Sequence, residues 1–269
     1  MNNTIGFIGT GNMGGALATA AAKALDPIRI YLSNKTAAKA QALADRLGCN
    51  AVSVTAVAEN CGLIFLGVKP QMMAELLSDI APILKKRAAD FVLVSMAAGL
   101  TMAQLRQMAG GDYPVIRIMP NTPVAAGQGV ILYDATENVT AGALDAFRGA
   151  MACAGLLDHL PEELMDAGSA VAGCGPAFAC LFLEALADGG VACGLPRAKA
   201  MQYAAQMLLG TAALAMESGQ HPAQLKDAVC SPGGSTIAGV RALERAGFRA
   251  AAMEAVDAAF HRTQALGNL

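Results

Sequence analysis

Three glycines at the spacing Gly9-x-Gly11-x-x-Gly14 follow a short apolar run, Ile5 to Ile8, and open an alanine-rich stretch that ends near Ala24. In a strand–turn–helix setting, the first glycine permits a tight turn and the second lets the backbone approach a pyrophosphate. The third lets helix pack on strand, and the helix start offers unpaired N–H donors to the anion. A glycine turn alone says little in a chain with 29 glycines, but this one sits where a dinucleotide site requires it. A second constellation, Ser231-Pro232-Gly233-Gly234-Ser235-Thr236, precedes a helix predicted from about Ile237. Its glycines free the backbone to turn several N–H groups toward one point, which is the chemistry of holding a small carboxylate. An ordinary helix cap through Ser235 or Thr236 is the competing reading.

Other candidate residues fall at the ends of predicted strands. After the second strand stand Ser33-Asn34-Lys35, and no acidic residue occurs from Pro27 to Ala44. NAD-selective sites place a carboxylate there for the ribose hydroxyls. Hydroxyl, amide and ammonium groups instead suit a 2′-phosphate, so NADPH is the expected cofactor, with NADH possible; a polar turn with a solvated lysine is the plainer alternative. Val68-Lys69-Pro70, Ala97-Ala98-Gly99 and Met119-Pro120-Asn121-Thr122-Pro123 end later strands and should border the same crevice, although any one proline could simply stiffen its loop. His159, His221 and His261 are widely spaced, and neither H-E-x-x-H nor C-x-x-C occurs, so no metal is expected.

These residues need a scaffold, and hydrophobic periodicity supplies it. Strands are predicted at Ile28 to Leu32, Leu63 to Gly67, Phe91 to Ser95, Val115 to Met119, Gly129 to Tyr133 and Leu156 to Leu160. Helices are predicted across Ala37 to Leu47, from Gln71, from Thr101 and around Ala141 to Ala152. Continuous apolar strands alternating with helices imply a parallel sheet covered on both faces, an α/β, doubly wound Rossmann-type domain over residues 1–160. Residues 161–269 read as an all-α second domain. Its segment Met201 to Met216 carries no charge, so a deep core or a subunit interface must cover it, and the size of the domain favours an interface.

Composition removes several classes of function. Nineteen basic against 21 acidic residues and 4% aromatic content disfavour nucleic acid as a partner. With 55% hydrophobic and 15% charged residues the chain should fold compactly. The uncharged stretch Met1 to Ala22 lacks the basic start of a signal peptide, and Ala167 to Leu183 is interrupted by Gly168, Gly173, Gly175 and Pro176, so a buried interior is expected for it rather than a membrane. The cysteines at 49, 61, 153, 174, 180, 193 and 230 are odd in number, which points to reduced thiols and a cytoplasmic location.

Over nearly its whole length the chain resembles the pyrroline-5-carboxylate reductase family. The resemblance rests on Gly6 to Met13, Val68 to Gln71, Met119 to Pro123, Gly173 to Phe178, Ala187 to Gly190 and, most specifically, Gln220 to Ile237. Family members commonly carry Ser at the place of Cys174 and Tyr at that of Phe178, departures that touch packing and a hydroxyl contact. The resemblance implies reduction of 1-pyrroline-5-carboxylate to L-proline with NAD(P)H, the last step of proline biosynthesis. It implies that Ser231, Gly233, Gly234, Ser235 and Thr236 hold the substrate carboxylate, with the Thr236 hydroxyl on the ring nitrogen as the catalytic contact. Ile8, Gly9, Thr10, Gly11, Asn12, Met13, Ser33, Asn34, Lys35, Gly67, Val68, Lys69, Pro70, Ala98 and Asn121 would bind the cofactor. It also implies a homodimer through interlocked C-terminal helices, often assembled into a decamer.

Each lone histidine reads as a surface or helix-end residue and not as a base, His221 beside Pro222 as a helix start; the chemistry agrees, because a protonated imine is already electrophilic and needs mainly to be positioned. Two other readings stay open. A β-hydroxyacid dehydrogenase shares the N-terminal fingerprint, but its proton-carrying lysine would fall at Ala179. A cofactor sensor would need no second anion site, which the Ser231 to Thr236 loop supplies.

Overall fold

The computed structural model describes residues 4–87 and 90–267, without the side chains of 266 and 267. The order is β1 (Ile5–Ile8), α1 (Asn12–Ala24), β2 (Ile30–Ser33), α2 (Ala37–Leu47), β3 (Asn50–Ala51), α3 (Val54–Asn60), β4 (Leu63–Leu66), α4 (Met73–Lys86), β5 (Val92–Ser95), α5 (Met102–Ala109), β6 (Val115–Pro120), β7 (Gly129–Ala135), α6 (Ala141–Met151) and β8 (Gly155–His159). There follow α7 (Met165–Gly168), α8 (Gly175–Ala192), α9 (Arg197–Ser218), α10 (Pro222–Ala228), α11 (Ser235–Arg245) and α12 (Phe248–Gly267).

The described residues form an eight-stranded sheet in the order β3-β2-β1-β4-β5-β6-β7-β8. The strand order reverses direction between β1 and β4, the switch point at which open α/β sheets bind ligands. One departure from the expected parallel sheet is β7, which runs antiparallel to β6. The connection 121–128 holds only a short 3-10 turn, Thr122–Ala126, and is too short for the crossover that a parallel pair needs. Helix α3 and the two-residue β3 were not foreseen; Ser53 caps α3 by accepting the Ala56 N–H at 3.1 Å.

Burial on both faces of β1, β4 and β5 explains their unbroken apolar sequences. Phe7 and Phe65 stack at 4.5 Å between ring centroids under α1 and α6, and Phe147 packs on the same cluster. Cys61, fully buried on the other face, has its thiol pushed up from 9.0 to about 12 by burial, which outweighs the nearby Arg87 charge and the Thr4 hydrogen bond. Because the folded value is the raised one, this neutral thiol favours the fold fully below pH 9, and the benefit drains away as pH climbs toward 12. Urea unfolding of the wild type should therefore lose about 1.4 kcal/mol per pH unit more than that of Cys61→Ala in this window. Parallel slopes would contradict the assignment.

Compactness divides the chain into residues 1–174 with 259–269, and Gly175–Ala258. In the first unit, Arg117 is a charged residue inside an apolar strand and only 3% exposed. It reaches Glu162 at 3.1 Å and Asp166 at 3.2 Å, while Glu162 also accepts the Met102 N–H that opens α5. The chain beyond β8 is thereby pinned to the sheet. The second unit is helical. Helix α8 buries only Ala187, and α9 only Ala200 and Ala204, leaving Leu181, Leu209 and Met216 exposed.

Of Ala167 to Leu183 only Ser169 and Ala170 are buried within one chain, so the interior expected for the whole stretch is not found there, and its glycines do not break the helix. The run 162–192 is long and apolar enough, by length and composition, to cross a membrane. It stays helical because Ser169–Gly173 forms a π turn, and Pro176 sits in the first turn of α8, where a missing N–H is tolerated.

Candidate functional site

The turns after β1 and β4 meet at the switch point. Gly9 takes φ +100°, and a Cβ on it would lie 2.5 Å from the Gly67 carbonyl oxygen; one on Gly67 would lie equally close to the Gly9 oxygen. Gly67 N–H donates to Ile8 at 2.8 Å, and Gly9 N–H to Ser33 at 2.8 Å, so three strand ends are tied together by main chain. Gly14 is likewise required, since its Cβ would fall 2.0 Å from the Gly9 oxygen.

Gly11 differs from its neighbours. Its φ of −70° suits any residue, and a Cβ there meets nothing within 4 Å. Nothing inside the protein demands glycine, whereas a pyrophosphate lying on the main chain does. Gly11 also caps α1 without any side-chain hydrogen bond, which leaves the helix start open to an anion. Beside it, the Thr10 hydroxyl is buried without a hydrogen-bond partner. Gly11 and Asn12 are exposed, Ile8 is buried, and Met13 packs against the core. A cavity of about 470 Å³ adjoins Thr10, Gly11 and Asn12 and takes in Lys39 and Arg46 of α2, two cations that the sequence reading passed over. This donor set fits a dinucleotide phosphate.

Of the group after β2, Ser33 is buried and Lys35 exposed. The Asn34 carboxamide is engaged inside the protein: Oδ1 accepts the Thr10 N–H at 3.3 Å and Nδ2 donates to Thr36. It therefore holds the glycine turn from below. Val68 packs on the core while Lys69 and Pro70 are exposed, and Pro70 opens a 3-10 turn. Ala98 is half-buried beside Met119. Asn121, expected to face the cofactor, has both ends of its side chain bonded within the protein, to Val130 and Ala172.

The loop 231–236 belongs to the other compact unit and is described by itself. Helix α11 begins at Ser235, two residues earlier than expected, with Gly234 as its N-cap. The side-chain cap through Ser235 or Thr236 does not form, so the first-turn N–H groups lack a hydroxyl acceptor of their own. Gly233 adopts φ +70°, and a Cβ on Gly234 would strike the Ser231 hydroxyl at 2.4 Å. The turn closes through Gly234 N–H to the Ser231 carbonyl at 3.0 Å, while Ser235 and Thr236 stand exposed in the first turn. Upstream, His221 caps α10 by accepting the Ala223 N–H on Nδ1, as its place before Pro222 suggested. Among the described residues no group of three or more His, Cys, Asp or Glu could hold a metal ion.

Sequence reasoning missed Arg117 and the partners of Asn121. A lone arginine within Val-Ile-Arg-Ile-Met was the available signal for the first; no local signal existed for the second, whose partners are distant in sequence.

Residues 162–266 match the family model described as pyrroline-5-carboxylate reductase dimerisation. Residues 4–99 match one described as NADP oxidoreductase, coenzyme F420-dependent. The pyrroline-5-carboxylate reductase of Escherichia coli is 41% identical, over 99% of both chains. A crystal structure of the Plasmodium falciparum pyrroline carboxylate reductase with NADP bound superimposes with TM-score 0.88 at 31% identity, over 98% of each chain. The 1-pyrroline-5-carboxylate reductase of Streptococcus pyogenes gives 0.86 at 31%, over 97% of this chain and 98% of that one. With a glycine turn at the switch point, a helical second unit and full-length identity of this order, the chain belongs to the pyrroline-5-carboxylate reductase family.

Proposed function

We propose that this protein reduces 1-pyrroline-5-carboxylate to L-proline with NADPH, NADH being accepted as a second donor. The observation that carries the reading is the glycine-led start of α11, where main-chain N–H groups are left without a side-chain cap. An anion-holding helix start of this kind, in a chain that also bears the dinucleotide turn, suits a small cyclic acid rather than a bare cofactor sensor.

Ser231, Gly233, Gly234 and Ser235 hold the carboxylate, and the Thr236 hydroxyl bonds the ring nitrogen and orients the imine. Ile8 to Met13, Ser33 to Lys35, Gly67 to Pro70, Ala98 and the main chain at Asn121 form the dinucleotide side, with Lys35 the exposed cation suited to a 2′-phosphate. When bound, the cofactor supplies a hydride. The chain itself orients the imine carbon and excludes water, and no side-chain acid is needed, because the proton comes from solvent or already sits on the iminium. Residues 1–160 serve the cofactor and 161–269 the substrate and the dimer.

Exposed apolar residues on α8 and α9, within a match to a dimerisation model, support a homodimer, and we extend this to a decamer. The run 162–192 then packs on a second copy rather than in lipid; Glu162, Glu163, Asp166, Glu184 and Asp188 within it favour that partner. Seven free cysteines, all among the described residues, support the cytoplasm.

Absorbance at 340 nm should fall when NADPH and racemic pyrroline-5-carboxylate are mixed with the protein, with L-proline as product. Tight NADPH binding without turnover would mean a sensor, and oxidation of a 3-hydroxy acid in its place would mean the dehydrogenase. Sedimentation of a detergent-free preparation as a single chain would overturn the assembly.

A further inference from the structure

Asn121 lies at the end of β6 and is 7% exposed. Its Oδ1 accepts the Val130 N–H at 2.8 Å, and its own N–H donates to the Val130 carbonyl at 3.2 Å, so β7 grips it from two sides. Its Nδ2 donates to the Ala172 carbonyl at 3.0 Å.

Ala172 belongs to the π turn Ser169–Gly173, which the Cys174 N–H closes onto Ser169 at 2.9 Å. In an uninterrupted α-helix the Ala172 carbonyl would accept the N–H four residues on. That residue is Pro176, which has none and whose ring crowds the same carbonyl. A π turn absorbs the crowding, and the carbonyl is left needing a donor. Asn121 is that donor.

We propose that Asn121 is, through its side chain, a positioning residue for the reduction: that side chain touches neither substrate nor cofactor but fixes, through the Ala172 carbonyl, the turn from which the chain leaves the first unit. The inference rests on the proposed reduction of the imine. A donor from the sheet fixes that turn where the helix's own ladder cannot, and the chain then continues into the unit that bears the Ser231 to Thr236 loop.

Asn121→Asp keeps an acceptor for Val130 but offers Ala172 no donor. Its kcat should fall about tenfold, with NADPH affinity within about twofold of wild type. Restoring the missing N–H with Pro176→Ala should shrink that loss to about threefold or less, measured as kcat of the double variant against kcat of Pro176→Ala alone. A merely structural role would not give this coupling. An unchanged kcat, NADPH affinity falling in step with kcat, or equal losses in both backgrounds would each overturn the proposal. If Asn121→Asp does not fold, Asn121→Ser, neutral and shorter, carries the same cycle. Failure of the wild type to turn over the imine would instead remove the proposed reduction, which the same assay reports separately.

Discussion

Gly11→Ala should leave the melting temperature of the free protein within about 2 °C of wild type while weakening NADPH binding about hundredfold. The two halves of this expectation come from the same geometry. Position 11 has an ordinary φ of −70° and open space where a methyl would go, so the fold accepts alanine at little cost. The methyl then occupies the space in which a pyrophosphate would contact the start of α1. Displacing the anion by the width of a methyl lengthens the charge-assisted hydrogen bonds that hold it, each of which contributes about 1.5–3 kcal/mol. Gly14→Ala is the contrasting control, because its Cβ strikes backbone at 2.0 Å and should lower stability and binding together. Calorimetric titration with NADPH and a thermal melt decide the matter; an unaltered dissociation constant for Gly11→Ala would mean that the phosphates do not lie on this turn.

Thr236→Ala is expected to reduce kcat/KM for the imine about hundredfold, with NADPH affinity within about twofold of wild type. Thr236 lies in the first turn of α11, exposed and not engaged as the cap, so removing its hydroxyl takes away the proposed contact with the substrate and little that holds the helix. Thr236→Ser retains the oxygen and should recover most of the rate. Fluorescence titration with NADPH separates the two sites: weakened cofactor binding in Thr236→Ala would reassign the residue to the dinucleotide.

The parts of this molecule legible in the sequence are those governed by local pattern. The β1 and α2 boundaries were read as they stand, because an apolar run against a glycine turn and a helix ended by Gly48 in a left-handed conformation are local events. The direction of β7 was written in the shortness of the connection 121–128, too few residues for a parallel crossover, but the run of parallel units before it masked that signal. Helix α3 was obscured by β-branched residues at 54, 55 and 57, with only Ser53 to mark its start. At the candidate site, glycine positions spoke for themselves, but the internal hydrogen-bond partners of the Asn34 and Asn121 side chains were not legible. Both are polar, both lie beside the crevice, and both are bonded inside the protein to residues that only the folded chain brings near.

The contact between the turns after β1 and β4 also limits how this site can change. Gly9 and Gly67 face each other with main chain alone, so neither has a bulkier neighbour that could shrink to make room for a replacement. Compensating pairs, the usual way a packed interior drifts, do not exist for these two positions. Saturating both codons together and selecting for growth should return only the parental pair of glycines.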